Sequence, residues 1–268
     1  MYPDQNPLLK KLAADAVVTG MYVQTASPDI VEIAGASGID YVIIDQEHGG
    51  FGYEETVNLI RGAEAAGVCP IVRVENHGAS GLRKAVEAGA LGVYVPDVRT
   101  AEQARAAIAA VKFRDADNGG MRGACPTVRA ARSRGAAEWS RYVAWSNANI
   151  TVSILVESEE GLHNLDEILA VPGIDTIVLG RFDLAHEMGL GSDRYGAVIS
   201  GLFDEFVSRA DRAGVRYVTR LRPGKREEMR RERDSWIRRG ARNFTIGSDR
   251  EFIAWAFGEA LQPMLSEG

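Results

Sequence analysis

The chain has 268 residues, 46% of them hydrophobic and 25% charged, with a formal net charge of −6 at pH 7. That length suits one α/β barrel of ~250 residues, and the composition allows a large core. The acidic balance argues against nucleic acid as a partner, no apolar run approaches the ~20 residues of a membrane span, and two cysteines, Cys69 and Cys125, make neither a disulfide framework nor a cysteine-rich zinc site.

Residues 1–17 lack the apolar stretch and small-residue cleavage site of a signal peptide, so the expected address is the cytoplasm. Short β-branched runs then alternate with segments of helical period, the rhythm of βα units on a parallel sheet. The first strand is predicted at 17–23 and runs into Gln-Thr-Ala-Ser-Pro, with no Gly-rich phosphate loop. That absence favours a closed barrel over an open doubly wound sheet. The second strand, 41–45, ends in Asp45-Gln46-Glu47-His48 and precedes a helix at 53–66. The third, 71–74, carries Arg73 where an aliphatic residue is expected; a helix follows at 80–88. The fourth, 92–95, ends in Pro96-Asp97 before a helix at 101–111.

Residues 114–149 break the rhythm with a Gly-Gly turn, arginines and a Trp/Tyr-bearing segment. They read either as an insertion with a short helix or as an active-site lid. The fifth strand, 151–156, leads into Glu157 and a helix at 162–170, and the sixth, 176–179, into Gly180-Arg181-Phe182-Asp183. Strands at 216–219 and 243–246 and an apolar closing helix at 251–265 complete eight units. Glycines 38, 67, 89, 173, 214 and 240 stand where helices should end. The expected architecture is a single-domain (β/α)8 TIM barrel over 1–268.

Catalytic groups of such barrels come from the C-terminal ends of the strands. Glu157 and Asp183 follow neighbouring strands, and two carboxylates ~5 Å apart repel unless a cation or proton lies between them. An oxygen-rich site with open positions suits Mg2+ or Mn2+, although either carboxylate could simply cap the next helix. Asp45 and His48 read as a carboxylate–imidazole pair, the carboxylate raising the basicity of a general base. Arg73 reads as an oxyanion partner or as half of a structural ion pair. His77 and His186 are weaker candidates in loops of the same rim. None of Lys10, Lys11, Lys84, Lys112 and Lys225 falls on a strand, which excludes an imine-forming lysine.

The stretches D-Y-V-I-I-D-Q-E-H-G, I-V-R-V, A-V-E-A-G-A-L-G-V-Y-V-P-D, G-G-M-R-G, L-V-E-S-E-E-G-L, G-R-F-D-L and R-N-F-T-I-G-S-D resemble the HpcH/HpaI aldolase family in order and spacing, over nearly the whole barrel. The resemblance implies a metal-dependent class II aldolase that makes or cleaves carbon–carbon bonds through a pyruvate-type enolate. Its small-molecule partners would be a 2-oxo acid and an aldehyde. By position, Glu157 and Asp183 match the metal ligands (Mg2+, Mn2+ or Co2+). His48 matches the base oriented by Asp45, and Arg73 the residue that holds the 2-oxo group. Gly180 and the amides after it match the carboxylate-binding groups. The resemblance also implies hexamers built from dimers that exchange the C-terminal helix.

Five positions in three segments depart from the family pattern. Leu155 replaces a glutamine, Arg181 and Phe182 replace Pro-Ala, and Val86-Glu87 replaces Leu-Asp. The first two changes fall on the substrate pocket. With the basic segment 220–242, they leave open a Claisen-type condensing enzyme that uses an acyl-CoA. A non-catalytic, dicarboxylate-binding barrel is the remaining alternative.

Overall fold

The computed structural model of the chain describes residues 5–115, 119–132, 136–222 and 225–265. Its parallel strands close in sequence order: β1 (Val18–Val23), β2 (Tyr41–Asp45), β3 (Cys69–Arg73), β4 (Gly92–Val95), β5 (Thr151–Val156), β6 (Thr176–Leu179), β7 (Arg216–Arg220) and β8 (Asn243–Ser248). β8 pairs back onto β1, with a shift in register between Gly20 and Tyr22. This is the expected (β/α)8 barrel. Around it run α2 (Pro28–Ala36), α3 (Tyr53–Ala66), α4 (Ala79–Ala88), α5 (Ala101–Val111), α10 (Ala197–Ala213), α11 (Arg226–Arg238) and α12 (Asp249–Leu265). No helix among the described residues is long and apolar enough to cross a membrane.

Strand alternation sets the two cores. Successive side chains point to opposite faces, so Val42 and Ile44 join the layer between sheet and helices while Tyr41 and Ile43 fill the barrel. Cys69 and Ile71 of β3 do the same beside them, in register Tyr41 with Cys69 and Ile43 with Ile71. Continuing this phase to the strand ends aims Asp45 and Arg73, also register partners, into the mouth.

The N-terminal end of the barrel is plugged by α1 (Pro7–Ala13), whose Leu8 and Leu12 pack on the interior cluster. Asn6 is fully buried there. Its Oδ1 accepts from the Leu8 N–H (2.9 Å), and its Nδ2 donates to Leu91 O (2.9 Å) and Asn149 O (2.8 Å). Asn6→Ala should therefore remove a helix cap and strand two carbonyls. The expected cost is about 3 kcal/mol, read as a lowered urea midpoint with unchanged slope.

Two expectations change. The helix anticipated at 162–170 is two short ones, α7 (Glu159–His163) and α8 (Leu165–Leu169). The side chain of Asn164 between them donates to Arg99 O (2.9 Å), tying the break to the β4–α5 connection. The lid reading of 114–149 does not hold. Its described residues lie between α5 and β5, at the end opposite the mouth. There α6 (Trp139–Asn149) sets Trp139 and Tyr142 edge-on to Phe113, Arg122 binds the Tyr142 hydroxyl and Ser146, and Arg129 donates to Ala88 O at the end of α4.

Candidate active site

The C-terminal mouth opens into a cavity of about 450 Å3 that brings His48, Arg73, Glu157 and Asp183 together. Leu155, Gly180, Arg181 and Phe182 also line it. Of the residues singled out in the sequence for this rim, Asp45 and the weaker candidates His77 and His186 are absent from its walls.

Asp45 is fully buried and holds Arg73 in a fork. Arg73 Nε donates to Oδ1 (2.8 Å) and Nη2 to Oδ2 (2.7 Å), while Gln24 Nε2 adds a bond to Oδ2 (2.8 Å). Burial opposes charge on this carboxylate, but Arg73 and Gln24 outweigh it and hold Asp45 below the usual carboxylate range. Burial likewise works against the guanidinium, and Asp45 more than offsets it, so Arg73 stays a cation. Arg73 also packs on the Tyr22 ring, 5.0 Å from its centroid.

This corrects the expected Asp45–His48 pair. Asp45 reaches His48 only through the backbone N–H (3.2 Å), having spent its side-chain capacity on Arg73 and Gln24. The carboxylate nearest the imidazole is Glu47, whose Oε2 lies 3.9 Å from His48 Nε2 and 2.9 Å from Arg73 Nη1. The His48 side chain is 56% exposed and lines the cavity. Glu47 thus bridges base candidate and oxyanion candidate, and it was missed. Its sequence signal was available: it stands two residues beyond Asp45, in the inward phase of β2.

Glu157 follows β5 and is buried. Its Oε1 accepts the Asp97 N–H (2.7 Å), and Asp97 takes a left-handed backbone (φ 47°) in doing so. Asp tolerates that region better than most residues, at a cost of roughly 1 kcal/mol. Burial first, then Glu47 and Asp183, push Glu157 up to about 7 against the Asp97 N–H and Arg73. Burial and the charges of Asp45, Asp183 and Asp97 raise Glu47 as well. A cluster of carboxylates that raise one another is the electrostatic condition a divalent cation relieves, so the donor set fits one. No group of three or more His, Cys, Asp or Glu side chains is arranged as a ready metal site among the described residues. A cation here would draw on Glu157 and Asp183, with water and substrate oxygens completing its shell.

Gly180 has a different role from the one expected. Its N–H is used by Val156 O (2.9 Å), so it is not free for a substrate carboxylate. A Cβ at this position would stand 2.4 Å from Glu157 Oε2, so only glycine leaves that oxygen open to the cavity. The amides of Arg181, Phe182 and Asp183 precede the first bond of α9 (Arg181–Glu187), Leu184 N–H to Gly180 O. Leu155 is a buried apolar part of the cavity floor. Phe182 is exposed, and Arg181 lies on the Phe203 ring, where burial pushes its guanidinium down to about 10.

The rim also contains groups to which the sequence reading gave no role. Arg220 Nη2 is clasped by both oxygens of Glu251 (2.8 and 2.7 Å), and Glu251 Oε2 also accepts from Ser248 N–H. Asp249 accepts from the Gln24 N–H and from Thr25 N–H and Oγ, fixing the β1–α2 loop.

The profile of HpcH/HpaI aldolase/citrate lyase proteins matches residues 18–253. A 4-hydroxy-2-oxovalerate aldolase of Novosphingobium aromaticivorans is 35% identical over 195 residues, 72% of each chain. The solved citrate synthase SbnG superposes with a TM-score of 0.85 at 26% identity, covering 98% of both chains. An HpcH/HpaI aldolase/citrate lyase family protein from Burkholderia cenocepacia gives 0.87 at 26% identity, covering 97% of this chain and 99% of its own. Barrel and profile agree: the chain belongs to the HpcH/HpaI aldolase/citrate lyase family and is a carbon–carbon lyase.

Proposed function

We propose that this enzyme reversibly cleaves a 4-hydroxy-2-oxo acid into a pyruvate-type 2-oxo acid and an aldehyde. The observation that carries the reading is the convergence of Arg73, His48, Glu157 and Asp183 on one cavity. In the cleavage direction the C4 hydroxyl gives up its proton and the C3–C4 bond breaks. Aldehyde leaves, and the electron pair stays on the three-carbon fragment as its enolate, which then takes a proton at C3.

A divalent cation, Mg2+, Mn2+ or Co2+, bound through Glu157 and Asp183 supplies Lewis acidity to the 2-oxo acid. Arg73, fixed by Tyr22 and by Asp45, which Gln24 steadies in turn, donates to the oxygen on which enolate charge develops. His48 moves the proton, and the Glu47 carboxylate lies 3.9 Å from its Nε2. The backbone of Asp97 aims one oxygen of Glu157, and Gly180 keeps the other uncovered. No lysine lines the cavity among the described residues, in keeping with an enolate stabilised without an imine. The exposed apolar face of α12, with Trp255 62% and Phe257 67% exposed, supports assembly of copies through that helix.

Deuterium exchange into pyruvate C3 tests the reading without an acceptor. Exchange should require a divalent cation and stop on chelation. Exchange that survives complete metal removal, or none with Mg2+, Mn2+ or Co2+, would sink it. His48→Gln should slow exchange about 10^2- to 10^4-fold, the usual range for a lost general base. The citrate synthase resemblance keeps one rival, condensation of an acyl-CoA with a 2-oxo acid. Release of free CoA from acetyl-CoA would favour it.

A further inference from the structure

The ionisable groups of the cavity stand at its mouth, and beneath them one side of the barrel turns apolar. Leu155, Val178 and Val218 line the cavity and belong to the cluster that fills the barrel. They stand at one height on the adjacent strands β5, β6 and β7. Leu155 is the register partner of Val178, and the register that pairs Ile177 with Tyr217 sets Val218 beside Val178. Strand alternation puts the next inward residue two positions on, so Glu157 stands above Leu155, Gly180 above Val178 and Arg220 above Val218. Gly180 has no side chain to cover the row. Val178 is accordingly the most open of the three, 8% exposed against 2% for Leu155 and 3% for Val218.

The side chains of this floor offer a ligand no hydrogen bond. Thr245 on β8 also lines the cavity, but it is the register partner of Arg220 and belongs to the layer above. A hydroxyl lowered onto the row would lose its water and gain no partner, whereas a methyl group would bury apolar surface. A 2-oxo acid has one end without polar atoms of its own, C3. With the carboxylate and 2-oxo oxygen turned up toward Arg73, Glu157 and Asp183, C3 and its substituent are what remain to face the floor. The sequence sets this chain apart at the same spot, where Leu155 stands in place of a glutamine.

We propose that Leu155, Val178 and Val218 form an apolar subsite for an alkyl group on C3 of the 2-oxo acid, so that the preferred nucleophile is pyruvate extended by a methyl group. C3 of such an acid carries two protons. One leaves to give the enolate, the carbon–carbon bond to the aldehyde forms at the vacated position, and the second proton stays. The aldol therefore carries its alkyl branch on the carbon next to the ketone. This inference rests on the aldolase reading.

2-Oxobutanoate and hydroxypyruvate make the test, because they match in heavy atoms and differ at C3 only by a methyl against a hydroxyl group. Deuterium exchange at C3 of both, and of pyruvate, is followed with the enzyme carrying its divalent cation, after subtraction of exchange without enzyme. KM for 2-oxobutanoate should lie about 10- to 100-fold below that for hydroxypyruvate, and no higher than that for pyruvate. Leu155→Gln should shrink the first ratio at least about tenfold, and Val218→Thr, which adds a hydroxyl at nearly unchanged shape, should move it the same way. Leu155→Met should keep it. Comparing one ratio between enzymes cancels the different C3 acidities of the two acids. A wild type without preference for 2-oxobutanoate over hydroxypyruvate, or with a preference for pyruvate over 2-oxobutanoate, overturns the subsite, and so does a ratio that both polar substitutions leave intact. The wild-type comparison needs no variant to fold. Exchange without discrimination defeats the subsite alone, whereas no exchange with any of the three acids defeats the aldolase reading and the subsite with it.

Discussion

Glu157→Gln should abolish cation-dependent exchange at pyruvate C3, by about 10^3-fold or more, while leaving the metal-free protein at least as stable as the wild type. The substitution is nearly isosteric, and the glutamine carbonyl can still accept the Asp97 N–H that now reaches Glu157 Oε1. What is lost is charge. In the metal-free protein that charge is buried and repelled by Glu47 and Asp183, so its removal relieves the fold. With a cation bound as proposed, the same charge would be one of the two holding it, and its loss would remove the Lewis acid from the reaction. Thermal unfolding with and without Mn2+ reads both halves. The wild type should gain stability with added cation by mass action, and the variant should not. A variant that still gains the full increment would place the cation elsewhere.

Arg73→Met should be damaging twice over. It removes the donor assigned to the enolate oxygen, worth about 10^2- to 10^3-fold in kcat. It also leaves the fully buried Asp45 carboxylate with only Gln24 and two backbone N–H groups as partners. Breaking a buried pair on one side costs about 3–5 kcal/mol, because the remaining charge is uncompensated. The two effects separate in the double variant Arg73→Met/Asp45→Leu. Stability should largely return, since a buried ion pair can be exchanged for apolar contacts at little net cost, and exchange activity should not. Recovery of both would reduce Arg73 to a structural role.

Most of the architecture was legible because a strand reports its facing through alternation, and a barrel reports its end through direction. Asp45, Arg73 and Glu157 could be placed at the mouth on those grounds alone. Partnership was harder to see. Asp45 and His48 are close in sequence, yet the side chain of Asp45 points across to β3, where register sets Arg73 opposite it. Alternation identifies a residue's face but not the neighbour that wins its hydrogen bonds. Glu47 lay in the same blind spot. Segment 114–149 was read either as an insertion with a short helix, which α6 bears out, or as a lid, although its position after a helix and before a strand already assigned it to the opposite end. Tyr22, Gln24, Tyr195, Arg220 and Glu251 come from separate loops and strand ends, and no local pattern joins them.

The first turn of α12 gives the active site a mechanical boundary. Asp249 grips the loop whose Gln24 steadies Asp45, and Glu251 grips Arg220 on the far wall. The later turns carry Trp255, Phe257 and Leu261 outward. A tilt of that helix would therefore pull on both ends of the cavity at once, like a lever pinned near its fulcrum.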